Sequence, residues 1–197
     1  METHCGIILL AAGSSSRLGK PKQSLRFNHS TLLQHSIQAA LESVADKVIV
    51  VFGAYREEIN LKTNEQKLFV VVNELWKEGI ASSIRCGLQY LLEKMPAVQN
   101  ALFMVCDQPY TNSSLLNKLV TLQMQTGQLI VASEYAGTAG IPAVFNKELF
   151  HGLLQLKGDT GAKKLIMQQQ DKVTTVSFPL GDIDIDTDAD YNRLQKM

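Results

Sequence analysis

Apolar residues fall along this chain in two patterns. Short unbroken runs read as strands: Ile7–Ala12, Lys47–Gly53, Leu68–Val72, Ala101–Cys106 and Leu129–Ala132, with shorter candidates at Ala143–Phe145 and Val173–Val176. A run without polar alternation is what a strand covered on both faces of a parallel sheet requires. Between the runs, apolar residues recur every three or four positions. Leu33, Ile37, Ala40, Leu41 and Val44 predict a helix over Thr31–Val44, and Ile84, Leu88, Leu91 and Leu92 predict one over Ser82–Glu93. Ser113 is placed to cap a helix carrying Leu116, Leu119, Val120 and Met124. Lys147–Leu156, Thr160–Gln170 and Asp188–Lys196 read as further helices. Strands alternating with helices predict an α/β fold of three layers, with a mostly parallel central sheet and helices on both faces. No repeat and no Pro/Gly/Ser-rich linker divides the chain, so residues 1–197 are expected to form a single domain.

Composition narrows the function. Nineteen Lys and Arg balance nineteen Asp and Glu, which gives no general attraction to nucleic acid or to an anionic membrane. No apolar run approaches the roughly 20 residues of a membrane span. The start, Met1-Glu2-Thr3-His4, lacks the basic residues of a secretion signal, and a cytoplasmic location is expected. Cys5, Cys86 and Cys106 form no CxxC pair and are odd in number, so buried free thiols are expected rather than disulfides or a zinc site. The histidines His4, His29, His35 and His151 show no ligand spacing.

Ligands of such sheets bind beyond the carboxyl ends of the strands. Two segments there carry chemistry. After the first strand, Leu10-Ala11-Ala12-Gly13-Ser14-Ser15-Ser16 is a turn of small residues, followed closely by the cations Arg17, Lys20 and Lys22. Small side chains let backbone N–H groups approach an anion, and the combination suits a polyphosphate. It is not a P-loop, because Gly13 and Gly19 enclose five residues rather than four and Pro21 stands where the metal-binding hydroxyl belongs. Nor is it the dinucleotide fingerprint, since Ser15 replaces its second Gly. A plain Gly/Ser turn with a solvated basic end is the alternative. After the fourth strand, Asp107 precedes Gln108 and Pro109. Opposite a phosphate loop its natural partner is Mg²⁺, which takes one or two carboxylates together with phosphate oxygens and water. The other reading of Asp107 is a turn or helix cap. Near the end, Asp182, Asp184, Asp186, Asp188 and Asp190 recur at every second position, without the glycine or closing Glu of a calcium loop. Most of them read as a solvated edge before a helix capped by Thr187 or Asp188.

The segment LAAGSSSRLGKPK resembles the signature of the MobA-like nucleotidyltransferases, and within that family it is most similar to the branch that transfers cytidylyl groups to molybdenum cofactor. DQP at 107–109, NELWKEGIASSIRCGL at 73–88, GIPAVF at 140–145, GDTGAK at 158–163 and DIDTDADY at 184–191 resemble further motifs of the same family. The resemblance implies a Rossmann-like nucleotidyltransferase fold, with an NTP-binding N-terminal half and an acceptor-binding C-terminal half. It implies that Leu10, Ala11, Ala12, Gly13, Ser14 and Ser15 hold the nucleotide with Ser83, and that Arg17 and Lys22 act catalytically on the phosphates, with Lys20 auxiliary. Asp107 and Asp186 would bind Mg²⁺, Asp184 being the fallback for Asp186. Gly140, Pro142, Gly158, Asp159 and Gly161 would contact the acceptor. Ala12 points to CTP rather than GTP, and Lys163 stands where Arg is more usual. The implied reaction transfers CMP from CTP to molybdopterin-molybdenum, with a transient contact to the molybdenum enzyme that receives the product. GTP as donor, a sugar or alditol phosphate as acceptor, and a non-catalytic carrier of nucleotide are the alternatives.

Overall fold

The computed structural model describes residues 3–15, 18–56 and 65–196. Among these, the strands of the main sheet are β1 (Cys5–Ala11), β4 (Lys47–Phe52), β5 (Leu68–Val72), β6 (Asn100–Val105), β7 (Ile130–Tyr135), β8 (Thr138–Asn146) and β9 (Val173–Ser177). A short hairpin, β2 (Arg26–Phe27) with β3 (Ser30–Thr31), lies outside it. The helices are α1 (Leu32–Leu41), α2 (Ile80–Lys94), α3 (Ser113–Thr126), α4 (Phe150–Leu154), α5 (Lys163–Gln168) and α6 (Asp188–Leu194). The sheet order is β5-β4-β1-β6-β8-β7-β9. β1 pairs in parallel with both β4 and β6, and β4 with β5, whereas β8 runs antiparallel to β6 and β7.

Side chains of successive strand residues enter different cores. Ile7, Leu9 and Ala11 join Val48, Val50, Leu102 and Met104 beneath α1 and α3. Ile8 and Leu10 join Ile49, Val51, Ala101 and Phe103 beneath α2, α4 and α5. With both faces covered, β1 is buried at every residue, which is why its sequence shows no polar alternation. β5 closes one edge and is only partly buried. The chain leaves β1 toward β4 on one side and later enters β6 on the other, so the β1–β6 boundary is the switch point of the sheet, where ligands of such folds bind.

The sequence expectation of a mostly parallel three-layer α/β fold is met. Four details differ. Residues 143–145 belong to the nine-residue β8, which folds back on β7 through the positive-φ pair Ala136–Gly137, a hairpin hidden by the short apolar core of the strand. Helix α3 is capped by Asn112, whose carboxamide accepts from Leu115 N, because Asn112 and not Ser113 has the extended backbone a cap needs. The stretch 147–156 divides into a 3-10 turn (Lys147–Leu149) and α4. Helix α5 begins at Lys163 and not at Thr160, leaving 158–161 as a turn.

Gly53 closes β4 against the first loop. A Cβ there would stand 2.7 Å from Ala12 O and 2.8 Å from Trp76 Cβ. Since one of these neighbours is backbone, Gly53→Ala is expected to destabilise the fold by about 1–3 kcal/mol, read as a lower urea midpoint with an unchanged slope.

Candidate active site

The loop after β1 is shaped from behind. Carbonyls of four successive residues each receive a donor from elsewhere in the chain. The Gln23 carboxamide donates to Ala11 O (2.8 Å) and Gly13 O (3.3 Å), Ala54 N to Ala12 O (3.3 Å), and Tyr55 Oη to Ser14 O (2.7 Å). In a planar trans peptide the N–H points opposite the C=O, so each tied carbonyl also fixes the direction of the N–H that follows it, from Ala12 to Ser15. Ser15, at φ 48°, turns the chain, and its Oγ accepts from Lys22 N (3.1 Å). Nothing stands within 4 Å of where a Cβ on Gly13 would be.

A cavity of about 380 Å³ opens over this loop. Leu10, Ala11, Ala12, Gly13 and Ser14 line one side, with Lys22 and Gln23 from the next turn. Trp76, Lys77, Gly79, Ile80 and Ser83 come from the start of α2, Val105, Cys106 and Asp107 from the end of β6, and Asp159 from the turn before α5.

Lys22 Nζ, from its lining, sits 2.6 Å from Asp107 Oδ2 and 2.8 Å from Asp186 Oδ1. β6 delivers Asp107 because it is the immediate neighbour of β1. Asp186 arrives by a different route. Ile185 N donates to Asp107 O (3.1 Å), and the fully buried Ile185 side chain packs with Leu18, Leu25, Phe27, Leu32 and Leu194. Thr187 then caps α6 with a reciprocal bond to Asp190, so the turn is fixed on both sides of Asp186. The Lys22 side chain is 14% exposed. Burial works against its charge, but the Asp107 carboxylate and then Asp186 outweigh it and hold the ammonium above the ordinary lysine range. Partial burial and repulsion from Asp107 and Asp186 push Asp184 up to about 6, although part of its side chain is open to solvent. The Cys106 thiol is pushed up to about 12, first by burial and then by the Asp107 charge, so it is neutral at working pH and no nucleophile.

Two carboxylates converging on one cationic point suit a divalent ion of the hard type, whose remaining ligands are phosphate oxygens and water. Among the described residues no group of three or more His, Cys, Asp or Glu side chains gathers as a closed metal site.

Several expected residues lie elsewhere. Arg17 is outside the described residues. Lys20 pairs with Asp188 at 3.0 Å on the surface, where such a pair contributes little. Gly140 and Pro142 do not line the cavity. Gly140 packs against the Tyr135 hydroxyl, and Pro142 O accepts from Ser133 Oγ (2.7 Å). They connect to the site through Gln108, whose carboxamide donates to Ile141 O (3.2 Å) and Gly181 O (2.9 Å). Asp159 does line the cavity, and Gly158 and Gly161 beside it lie against the start of α2. Gly158 O accepts from Ala81 N (3.1 Å), and the φ of 97° at Gly79 lets the two turns meet without a side chain between them. One amide of the α2 N-terminus is therefore used by the chain itself. Sequence reasoning missed Gln23 and Gln108, since nothing marks a glutamine as a backbone clamp until the carbonyls it serves are placed.

Residues 7–173 match the MobA-like NTP transferase domain family. The chain belongs to the MobA-like NTP transferases. It is 24% identical to the molybdenum cofactor cytidylyltransferase of Escherichia coli over 187 residues, 93% of this chain and 92% of that protein. It is 26% identical to the nicotine blue oxidoreductase of Paenarthrobacter nicotinovorans over 170 residues, 82% of this chain and 81% of that protein. Its fold matches the crystal structure of Rv0371c from Mycobacterium tuberculosis at a TM-score of 0.83 and 28% identity, over all of both chains. The manganese complex of that protein matches at 0.78 and 25% identity, over 98% of each. No helix among the described residues of this nucleotidyltransferase is long and apolar enough to cross a membrane.

The carboxyl cluster of this transferase has a titration signature. A folded value for Asp184 above its ordinary 3.8 means that its share of stability is present at acid pH and is lost as the pH rises from about 4 through about 6. Removing the Asp107 charge in Asp107→Asn is expected to lower the Asp184 value, followed by carboxyl carbon shifts in NMR.

Proposed function

We propose that this nucleotidyltransferase moves CMP from CTP to a phosphorylated acceptor, with molybdopterin-molybdenum as the acceptor, and releases pyrophosphate. The observation that carries the reading is the meeting of Lys22 with Asp107 and Asp186, where Lys22 and Asp107 line a cavity walled by the β1 loop. In the reaction an acceptor phosphate oxygen forms a bond to the α-phosphorus, the bond from that phosphorus to the bridging oxygen breaks, and pyrophosphate leaves with the electron pair. The nucleophile is already ionised, so no general base is needed, in keeping with a cavity lined by no histidine.

Each part of the chain has a role in this scheme. Backbone N–H groups of the loop at residues 12–15 receive the phosphates, with Ser83 on the nucleoside side. Lys22 supplies positive charge to the phosphates, and Arg17, which belongs to the same signature, is assigned the same task. Asp107 and Asp186 would hold Mg²⁺, which when bound neutralises charge on donor and acceptor phosphates. Asp159, with Gly158 and Gly161, would border the acceptor where the C-terminal half meets α2, with Gly140 and Pro142 behind Asp107. Positioning and charge neutralisation account for catalysis of this kind. The oxidoreductase name of one relative is not carried over, because Ser15 breaks the dinucleotide fingerprint. The cytidylyltransferase relative and the Ala12 position favour CTP as the donor. We place the reaction in the cytoplasm, in one domain, with a molybdenum enzyme as the later recipient.

Incubation with CTP, Mg²⁺ and molybdenum cofactor is expected to release pyrophosphate. Lys22→Met is expected to lower kcat by about 10²–10³-fold, the usual loss of one charge-stabilising donor, and Asp107→Ala to remove turnover. Absence of pyrophosphate with all four nucleoside triphosphates would contradict the enzymatic reading.

A further inference from the structure

Asn73 follows β5 directly and is 4% exposed. Its own N–H donates to Phe52 O (2.8 Å), which fixes its backbone beside the end of β4. Its side chain meets three partners. Leu75 N donates to Asn73 Oδ1 (3.0 Å). A backbone N–H can only donate, so this contact decides which end of the carboxamide is oxygen. The other end, Nδ2, therefore donates, at 2.8 Å to Ser82 Oγ and at 3.0 Å to Ser83 Oγ.

The two serines are left in different states. Ser82 passes its proton on to Gly79 O (2.8 Å) and Leu75 O (2.9 Å) and is satisfied. Ser83 receives the Asn73 bond, and among the described residues no acceptor takes its own proton. Ser83 is 4% exposed and lines the cavity. With Asn73 occupying one lone pair of Ser83 Oγ as donor, the hydroxyl proton is left for a group in the cavity. A ligand that accepts at this point uses that proton, and a ligand that donates there does not.

We propose that Asn73 is a positioning residue that orients Ser83 as a hydrogen-bond donor, so that the cavity reads an acceptor atom on the nucleoside. The proposal rests on the nucleotide-binding reading above and adds a selection rule to it. A cytosine ring carbonyl meets the Ser83 proton, whereas a group offering N–H in the same place is rejected. Asn73 acts only through Ser83 and touches no ligand itself.

The test is a double-mutant cycle on CTP affinity, measured by calorimetry with the full chain. Asn73→Asp keeps the shape and the Leu75 bond but removes the donor, and its carboxylate draws the Ser83 proton away from the cavity. Asn73→Asp and Ser83→Ala are each expected to weaken CTP binding by about tenfold. The double variant is expected to be no weaker than either single variant, because both remove the same contact. Losses that multiply in the double variant, or an Asn73→Asp protein with lowered Tm and unchanged affinity, would reduce Asn73 to a structural role and overturn the proposal. Should Asn73→Asp not fold, Asn73→Ala removes the donor without adding charge and is held to the same non-additivity. If the wild-type chain binds none of the four triphosphates, the nucleotide reading fails by itself. The side-chain amide signals of Asn73 then test the network without ligand. They are expected to exchange slowly and to shift in Ser83→Ala, and an unshifted pair overturns the Asn73–Ser83 link.

Discussion

Two carboxylates and one ammonium meeting at a half-dry point are the constraint around which this protein is arranged. Left unpaired, either kind of charge would be costly where Lys22 sits, and exposed pairs of the same type contribute little. The structure brings the three together from distant parts of the chain with ordinary means. Parallel pairing of β1 with β6 sets the phosphate-type loop beside Asp107. A single backbone bond from Ile185 to Asp107, backed by a small apolar cluster, sets Asp186 opposite. Electrostatics alone would not gather these groups, because Asp107 and Asp186 repel each other until a cation stands between them.

The same economy runs through the rest of the cavity. Loop carbonyls are tied down by Gln23, Ala54 and Tyr55, so the backbone of the loop is held before any ligand arrives. A site whose dipoles are already oriented needs no reorganisation when charge develops. Gln108 links the Asp107 loop to β8 and to the acidic tail, and the 158–161 turn closes on α2. Segments far apart in sequence are therefore joined by hydrogen bonds around the cavity.

Much of this was legible in the sequence, and the part that was not has physical reasons. The unbroken runs of β1, β4 and β6 revealed a sheet covered on both faces, since each residue goes to one core or the other. The loop of small residues and the aspartate at the end of β6 could be paired because strand ends in such a sheet share one edge. Polarity could not be paired in that way. The hairpin of β8 was hidden because its outer half, Thr138 to Ile141, is not a continuous apolar run. Thr160 looked like a helix start, yet its residues serve a turn that meets α2. Asn73, Gln23 and Gln108 have amides whose meaning depends on which backbone groups lie opposite, and spacing carries no trace of that.

The most direct test is anomalous diffraction from crystals of the protein grown with Mn²⁺ and CTP. The account predicts one metal peak in contact with the carboxylates of both Asp107 and Asp186, with the triphosphate lying along residues 12–15. A metal bound elsewhere, or a triphosphate outside the cavity while Lys22 still bridges the two aspartates, would contradict it.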